Sequence, residues 1–365
     1  MNDLAFTPSF GSRPTQLVGR DQIVRDFLDA LDSRPGSKNR ALVIRGQRGN
    51  GKTALLWEFA DRAHEHGFVV ATPTSVCEGL LERIVEKISD DISSVLREPN
   101  IQVPGGSVGA LGISANLQLD RNDKDMSAEH KLTKLCRKLT DRGLGTLILV
   151  DELQANSPEI RALVGTYQEL VGEGLNVAIV LAGLPACVSN VLNDRVLTFL
   201  NRARKITLGP IAIEAVDAFF RQAFRSAGLS VSSDIRYEAA RASEGSPYLM
   251  QLIGHYLCLY AEDAPVDKSV LHEALESSRD QFQNDVCSAT LAALSQVDIS
   301  FLRVMAELGG SCRTIEIASR MGVTPDYAQQ YRKRLIDAGI IVSPARGLLR
   351  IDVPYLAEYL IQSSE

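Results

Sequence analysis

Along the first 208 residues, short apolar runs alternate with longer segments whose apolar positions recur every three or four residues. The first pattern predicts buried strands and the second predicts amphipathic helices. Strands separated by helices of this length imply βαβ units, hence a mostly parallel sheet with helices on both faces. The predicted strands are 41–44, 68–71, 146–150, 177–182 and 205–208, and the predicted helices are 21–31, 54–66, 80–96, 132–142 and 159–172.

After Gly209-Pro210 the strand-like runs stop, and helical spacing continues to about residue 294. This region is predicted to be an all-α lid with a connecting helix. Near Val297 the pattern changes again, to short helices followed by a strand pair, which predicts a winged helix-turn-helix. The predicted lid helices are 213–227, 234–243, 247–260 and 268–294. The predicted C-terminal elements are helices 301–308, 314–321 and 324–338 and strands 340–342 and 348–351.

These patterns predict four segments: an irregular arm (1–15), an α/β core (16–208), a helical lid with its connecting helix (209–294) and a winged helix-turn-helix domain (295–365). Within the core, residues 101–127 alternate small, apolar and polar side chains behind a Gly-Gly pair. We expect a hairpin or a loose insertion in the core there.

Composition limits the possible partners and compartment. The chain has 39 basic and 45 acidic side chains, so its net charge of −6 argues against binding to nucleic acid or anionic lipid through bulk charge. The six cysteines are scattered without a C-x-x-C pair, the N-terminus lacks a signal-peptide pattern, and no apolar run approaches about 20 residues. We therefore expect a soluble cytoplasmic protein without a membrane span.

A glycine-rich motif follows the first predicted strand and opens the next helix. Glycines let the backbone approach phosphates closely, and the helix N-terminus favours negative charge there. In such a P-loop, Lys52 reaches the β- and γ-phosphates and the Thr53 hydroxyl ligates Mg²⁺. A chance glycine turn is the alternative. The motif predicts an ATP·Mg²⁺ site with the sequence Gly46-Gln47-Arg48-Gly49-Asn50-Gly51-Lys52-Thr53, followed by Ala54.

An acidic pair follows the apolar run 146–150. Asp151 and Glu152 would lie at the carboxyl end of a buried strand, where ligands bind in open α/β sheets. There Asp151 would hold Mg²⁺ and Glu152 would orient and deprotonate the attacking water. The alternative is that both acids cap the next helix.

The P-loop, acid pair, lid and tail together resemble an AAA+ or STAND-type ATPase, most closely the bacterial and archaeal ATPases related to the origin-recognition family. The segment Leu17-Val18-Gly19-Arg20-Asp21 resembles the one that lines the adenine pocket in that family. The resemblance therefore implies contacts from Val18, Gly19 and Arg20 to the nucleotide.

Two further stretches resemble family elements. Asn201-Arg202-Ala203-Arg204 resembles the stretch that carries the family's arginine finger, which implies a catalytic role for Arg202, or else Arg204, toward a neighbouring subunit; a solvated basic rim is the alternative. Gly245-Ser246-Pro247 resembles the G-x-P element of STAND proteins, whose proline, here Pro247, packs near the nucleotide. A plain helix start explains it equally well.

The sequence also departs from the family pattern. Ala182-Gly183-Leu184-Pro185 stands where many members carry a polar sensor, and Tyr248 stands where an origin-type lid offers a sensing arginine. These departures favour a slow nucleotide-dependent switch over fast, processive hydrolysis.

The C-terminal domain could contact duplex DNA. Basic groups on its third helix and wing could neutralise phosphates, and glutamines could reach base edges. Residues 297–365 nevertheless carry eight basic and eight acidic side chains, and winged helices also dock proteins. The candidate DNA contacts are Gln329, Gln330, Arg332, Lys333, Arg334, Arg346 and Arg350.

The leading hypothesis is an ATP-binding, slowly hydrolysing switch that binds duplex DNA through its winged helix. The alternative is a STAND-like signalling or scaffold ATPase, whose winged helix docks a protein and whose nucleotide state controls oligomerisation. A P-loop kinase acting on a small molecule is a third possibility, but no acceptor pocket is recognisable after the P-loop.

Overall fold

The computed structural model describes residues 5–8, 13–95, 126–261 and 265–363. Most of the predicted insertion at 101–127 therefore lies outside the described residues. The chain divides into two compact units, which are described separately. One contains Arg20–Arg45 and Lys52–Thr207, and the other contains Met1–Gly19, Gly46–Gly51 and Leu208–Glu365.

The first unit is built on a five-stranded sheet with the strand order β2-β3-β4-β1-β5, in which all neighbouring strands are parallel. Every residue of β3 and β4, two of the three inner strands, is buried. This explains their uninterrupted apolar sequences, because parallel strands are covered on both faces. The predicted parallel α/β core is confirmed. The strands are β1 (Ala41–Arg45), β2 (Phe68–Ser75), β3 (Gly145–Asp151), β4 (Val177–Gly183) and β5 (Arg204–Thr207).

Helices of this unit pack their apolar faces into a core shared with the sheet. The predicted helix 54–66 differs in detail, because the α-helix ends at Ala63 and a 3₁₀ turn, His64–His66, precedes left-handed Gly67. The helices are α1 (Asp21–Leu31), α2 (Lys52–Ala63), α3 (Leu80–Val95), α4 (Ala128–Thr140), α5 (Pro158–Gly172) and α6 (Pro185–Leu192).

In the second unit, a helical region follows the sheet strands, as predicted. The predicted single helix 268–294 is interrupted, since residues Gln283–Cys287 form a π-helical segment between two α-helices. The helices are α7 (Ile213–Ser226), α8 (Ser233–Ala242), α9 (Pro247–Tyr260), α10 (Lys268–Phe282) and α11 (Ser288–Ala292).

The C-terminal part of the second unit combines helices with a small antiparallel sheet of strand order β6-β8-β7. The three predicted helices and the strand pair are present, whereas β6 and the last helix were not predicted. The elements are α12 (Gln296–Glu307), β6 (Ser311–Arg313), α13 (Thr314–Met321), α14 (Pro325–Asp337), β7 (Ile341–Ala345), β8 (Leu348–Ile351) and α15 (Leu356–Gln362).

One hydrophobic core runs through the second unit, from the N-terminal arm through the helical region to α15. The arm is anchored by Phe6, whose ring lies 5.7 Å from that of Phe219 and 5.4 Å from that of Phe224. The helical region and the C-terminal part thus share one buried interior. Among the described residues, no helix combines the length and the apolar character that a membrane crossing requires.

Candidate functional site

The phosphate loop, Gly46–Gly51, is held against the strand-to-lid connection of its own unit. The Asn50 side-chain amide donates to the Leu208 carbonyl over 2.9 Å, and the Asn50 N–H donates to the Gln47 carbonyl over 3.3 Å. Gly49 and Gly51 have φ values of 78° and 77°, a left-handed conformation that side chains disfavour. The motif's second and third glycines are therefore required by the turn itself.

The start of helix α9 lies directly on this loop. The Tyr248 N–H donates to the Gly49 carbonyl over 3.2 Å. A Cβ atom on Gly49 would lie 3.0 Å from the Cβ of Tyr248, and one on Gly51 would lie 3.8 Å from Pro247. Ser246 caps the helix by accepting the Leu249 N–H. The structure thus places Pro247 beside the phosphate loop, and Ser246-Pro247 also begins the helix.

Ile211 brings two predicted nucleotide segments together. Its N–H donates to the Gly245 carbonyl over 2.8 Å, and a Cβ on Gly245 would lie only 2.3 Å from the Ile211 carbonyl oxygen. A Cβ on Gly19 would lie 2.9 Å from the Ile211 side chain, and Val18 is buried in the same core. The first part of the Leu17–Asp21 motif, up to Gly19, therefore lies close to the Gly245–Pro247 element in the second unit.

Arg20, the next residue of that motif, belongs to the first unit, which contains the five-stranded sheet (hereafter the sheet unit), and precedes helix α1. Its side chain is buried, and burial lowers the pKa of the guanidinium.

In the sheet unit, the first turn of α2 meets the end of β3. Lys52, Thr53 and Ala54 form that turn, and the Thr53 hydroxyl donates to a carboxylate oxygen of Asp151 over 2.5 Å. The other Asp151 oxygen accepts the Glu152 N–H over 2.8 Å. The two hard oxygen ligands predicted for a metal are thus adjacent.

Glu152 is exposed and adopts a left-handed φ of 54°, which is uncommon for a residue with a side chain. Sparsely populated backbone conformations of this kind cluster at active sites.

An apolar contact occupies the end of β4. The Leu153 N–H donates to the Ala182 carbonyl over 2.9 Å, and a Cβ on Gly183 would lie 2.8 Å from the Leu153 Cβ. Glycine is therefore needed at 183 because Leu153 packs there. Gly183, which belongs to the stretch where many family members carry a polar sensor, thus contacts an apolar side chain.

The two candidate finger arginines differ in their surroundings. Arg204 lies in β5 and forms an ion pair of 2.5 Å with Asp26, and the hydrogen bond from Arg204 lowers the pKa of the Asp26 carboxyl. Arg202 ends a short 3₁₀ helix, Thr198–Arg202, and its side chain is exposed. Of the two, Arg202 is the one presented to solvent.

The phosphate loop also contacts the C-terminal part of its unit. The Gln47 side-chain amide donates to the carbonyl of Ala338, the residue that ends helix α14, over 2.8 Å. Sequence analysis gave no signal for this contact, because 291 residues separate the two partners.

A cavity of about 320 Å³ adjoins this contact. Its walls come from the phosphate loop, the helical region, the end of β8 and the segment after β8. The lining includes Arg48, Asn50, Glu244, Phe282, Arg350 and Asp352.

The candidate DNA contacts fall into three groups. Arg334 forms an ion pair with Asp298, which is 3% exposed, and Arg350 pairs with Asp352. Arg332 is half-buried between Gln329 and Ser343. The remaining candidates, which are exposed, are Gln329, Gln330, Lys333 and Arg346.

Two protein-family models match parts of the chain. Residues 16–180 match the family model described as AAA ATPase domain, and residues 284–360 match the one described as a domain of unknown function, DUF8462. None of the curated proteins with which the chain was compared matches it by sequence. The predicted resemblance to AAA+-type P-loop ATPases is confirmed.

Two solved structures show the same fold. A Walker-type ATPase of Pyrococcus abyssi has 16% identity and a TM-score of 0.67, with 96% of this chain and 97% of that chain covered. The ORC2 protein of Aeropyrum pernix in its ADP form has 17% identity and a TM-score of 0.55, with coverage of 98% and 97%.

Proposed function

We propose that the protein is an ATP-binding molecular switch that hydrolyses ATP slowly and uses its C-terminal part as the output. The AAA ATPase domain at residues 16–180 supports the ATPase class. The observation that carries the proposal is the hydrogen bond between Thr53, directly after the P-loop lysine, and Asp151. It brings together the two side chains that a phosphate-bound metal requires.

Each part of the site has a distinct task in this proposal. The N–H groups of the loop and the Lys52 ammonium bind the phosphates. The hydroxyl of Thr53 and the carboxylate of Asp151 are hard oxygen donors that fit Mg²⁺, and the metal would supply charge neutralisation at the phosphates. Glu152, exposed at the end of the strand, accepts a proton from the attacking water.

We assign contacts with the adenine part of ATP to the segment Val18–Arg20 and to Pro247. Gly19 shares its neighbour Ile211 with the Gly245–Pro247 element, and Val18 is buried in the same core, which supports their joint role in the second unit. The proposal of slow turnover rests on the apolar packing of Leu153 against Gly183, where a polar sensor is expected.

We assign the C-terminal part to the winged helix-turn-helix class, with α13 and α14 as the helix pair and β7–β8 as the wing. As its target we propose duplex DNA, contacted by the exposed Gln329, Gln330, Lys333 and Arg346. The ion pairs of Arg334 and Arg350 remove two cations from that surface, so the expected footprint is small.

A STAND-like scaffold is the second candidate. The hydrogen bond from Gln47 to Ala338 favours it, because the phosphate loop holds the end of the helix that would have to read DNA. In this alternative the C-terminal part docks a protein, and nucleotide exchange controls assembly.

Steady-state ATP hydrolysis with Mg²⁺ tests the proposal, measured with and without duplex DNA and with Glu152→Gln as the control. Turnover that rises with DNA and is lost in Glu152→Gln supports the DNA-coupled switch. ATP binding without any effect of DNA, combined with an ATP-dependent change in molecular mass by light scattering, favours the scaffold. Absence of ATP binding contradicts both candidates.

A further inference from the structure

Tyr248 makes two different contacts from the first turn of α9. Its backbone N–H bonds to the phosphate loop at Gly49, over 3.2 Å. Its phenol hydroxyl donates to a carboxylate oxygen of Asp285 over 2.6 Å, and its ring lies 6.1 Å from that of Phe282. One residue therefore joins the loop to the far end of α10.

The phenol of Tyr248 is a permanent donor. Burial and the neighbouring Asp285 carboxylate both raise the pKa of its hydroxyl. The proton therefore stays on the phenol at physiological pH. A hydrogen bond to an ionised carboxylate is stronger than one between neutral groups, so the contact can transmit a displacement.

Asp285 lies in the π-helical segment Gln283–Cys287. Such one-turn π segments in α-helices are rare and often occur at functional sites. This one contacts the C-terminal part directly: the Cys287 thiol lies 3.5 Å from the Pro354 carbonyl, and the Phe282 ring, one residue before the segment, lies 6.4 Å from that of Tyr355. A shift in the segment would therefore reach the C-terminal part.

The phosphate loop touches the same C-terminal part by a second route, through Gln47 and Ala338. The cavity between these contacts is lined by Phe282, Val286 and the segment Arg350–Pro354. The loop, the π-helical segment and the C-terminal part thus meet around a space that leaves room for rearrangement.

We propose that Tyr248 is the positioning residue that reports nucleotide occupancy of the phosphate loop to the C-terminal part, through Asp285. Phosphate binding repositions the Gly49 carbonyl, the first turn of α9 follows, and the phenol–carboxylate bond moves the π-helical segment. This inference rests on the proposed ATP binding. In this proposal Tyr248 senses the nucleotide from the position at which an origin-type lid offers an arginine.

Hydrogen–deuterium exchange of residues 296–360, measured with and without ATP·Mg²⁺, tests the proposal. We expect ATP to change exchange in this region of the unaltered protein. Tyr248→Phe removes only the hydroxyl and keeps the backbone contact with Gly49. We expect it to bind a fluorescent ATP analogue normally and to lose the exchange response by roughly tenfold, the magnitude expected for a charged hydrogen bond.

Three further variants sharpen the test. Asp285→Ala should reproduce the loss. Asp285→Asn keeps an oxygen acceptor but removes the charge, so it should retain only part of the response. Tyr260→Phe is the matched control, because the Tyr260 hydroxyl also lies on α9 but bonds to Ser277 of α10 over 2.9 Å, away from the loop. It should behave as the unaltered protein does.

The outcomes separate this inference from the proposed function. If the unaltered protein binds no nucleotide, the proposed function fails first. If it binds ATP and Tyr248→Phe keeps the full exchange response, the relay is wrong. The relay is equally contradicted if Tyr248→Phe and Tyr260→Phe lose thermal stability and ATP affinity to the same extent, because the hydroxyl would then have only a structural role.

Discussion

The Thr53 hydroxyl donates a 2.5 Å hydrogen bond to the Asp151 carboxylate. These residues are 98 positions apart, and they meet because α2 begins and β3 ends at the same edge of the parallel sheet. Carboxyl ends of parallel strands are where open α/β sheets place their ligands. Replacing Thr53 therefore tests whether a metal bound to phosphates is held at this edge of the sheet.

Thr53→Val should lower ATP turnover by about 10²-fold or more, since charge stabilisation by a bound metal contributes several kcal/mol at the transition state. Valine keeps the shape but removes the oxygen ligand. Thr53→Ser keeps the hydroxyl and should retain most activity. Turnover is measured across a Mg²⁺ titration. Equal activity of the two variants would exclude a ligand role for Thr53.

Gly245→Ala should destabilise the second unit strongly. Gly245 has a φ of 73°, and an added Cβ would lie 2.3 Å from the Ile211 carbonyl oxygen. Gly228 is the matched control, with a φ of 74° and no atom within 4 Å of an added Cβ. Gly228→Ala should cost about 1–2 kcal/mol, the ordinary price of a left-handed alanine. Gly245→Ala should cost about 3 kcal/mol or more, because backbone must move as well.

Urea-induced unfolding, followed by far-UV circular dichroism, measures the stability of both variants. Similar midpoints for Gly245→Ala and Gly228→Ala would show that the Ile211 contact relaxes without cost. That result would remove the structural explanation for glycine at 245 and leave only its backbone conformation.

The sheet and most helices could be predicted from sequence because apolar periodicity reflects burial on one or both sides. Capping explains a boundary that was missed. Helix α12 was predicted to start at Phe301 but begins at Gln296, because Ser295 and Asp298 form a capping box that extends the helix toward its N-terminus.

The contacts of the candidate site were less predictable. The P-loop and the acid pair are local motifs, so a hypothesis for their residues could be drawn from the sequence. Contacts such as Gln47 with Ala338 depend on how distant elements pack, and no local pattern encodes them. The π-helical segment was also missed, because its inserted residue changes the helical phase only after Gln283.

Arg202→Ala and Arg204→Ala should affect different properties, catalysis and stability respectively. Arg204 pairs with Asp26 within the sheet unit, so its loss should lower the melting temperature slightly with little direct effect on catalysis. Arg202 is exposed, so Arg202→Ala should leave the melting temperature unchanged. If Arg202 acts as an arginine finger in a neighbouring subunit, its removal should reduce turnover by about 10³-fold or more.

Mixing distinguishes a finger from a residue that acts within its own chain. Arg202→Ala chains, which keep an intact P-loop, are combined with Lys52→Ala chains, which keep the arginine. Recovery of turnover in the mixture indicates a contribution between subunits. Loss of activity in Arg204→Ala without loss of stability would instead assign the finger to Arg204.

Lys333 and Arg334 are neighbours on α14, yet their replacement should affect different properties. Arg334 bonds to Asp298, which is 3% exposed, and to Ser295 at the start of α12. Arg334→Ala would leave that carboxylate buried without its cation. Because Arg334 itself is 53% exposed, solvent screening limits the expected destabilisation to about 1–3 kcal/mol. Thermal and urea unfolding measure this cost.

Lys333→Ala should leave the stability unchanged, since the Lys333 side chain is exposed. If α14 faces duplex DNA, this variant should weaken binding uniformly across sequences and reduce the slope of log affinity against log salt by about one, as expected for one lost phosphate contact. Fluorescence anisotropy at several salt concentrations provides the measurement, and Lys268→Ala, an exposed lysine on α10, provides the control. An unchanged salt slope in Lys333→Ala would place the DNA elsewhere or favour protein docking, because an exposed cation on the reading helix must release counterions when it contacts a phosphate.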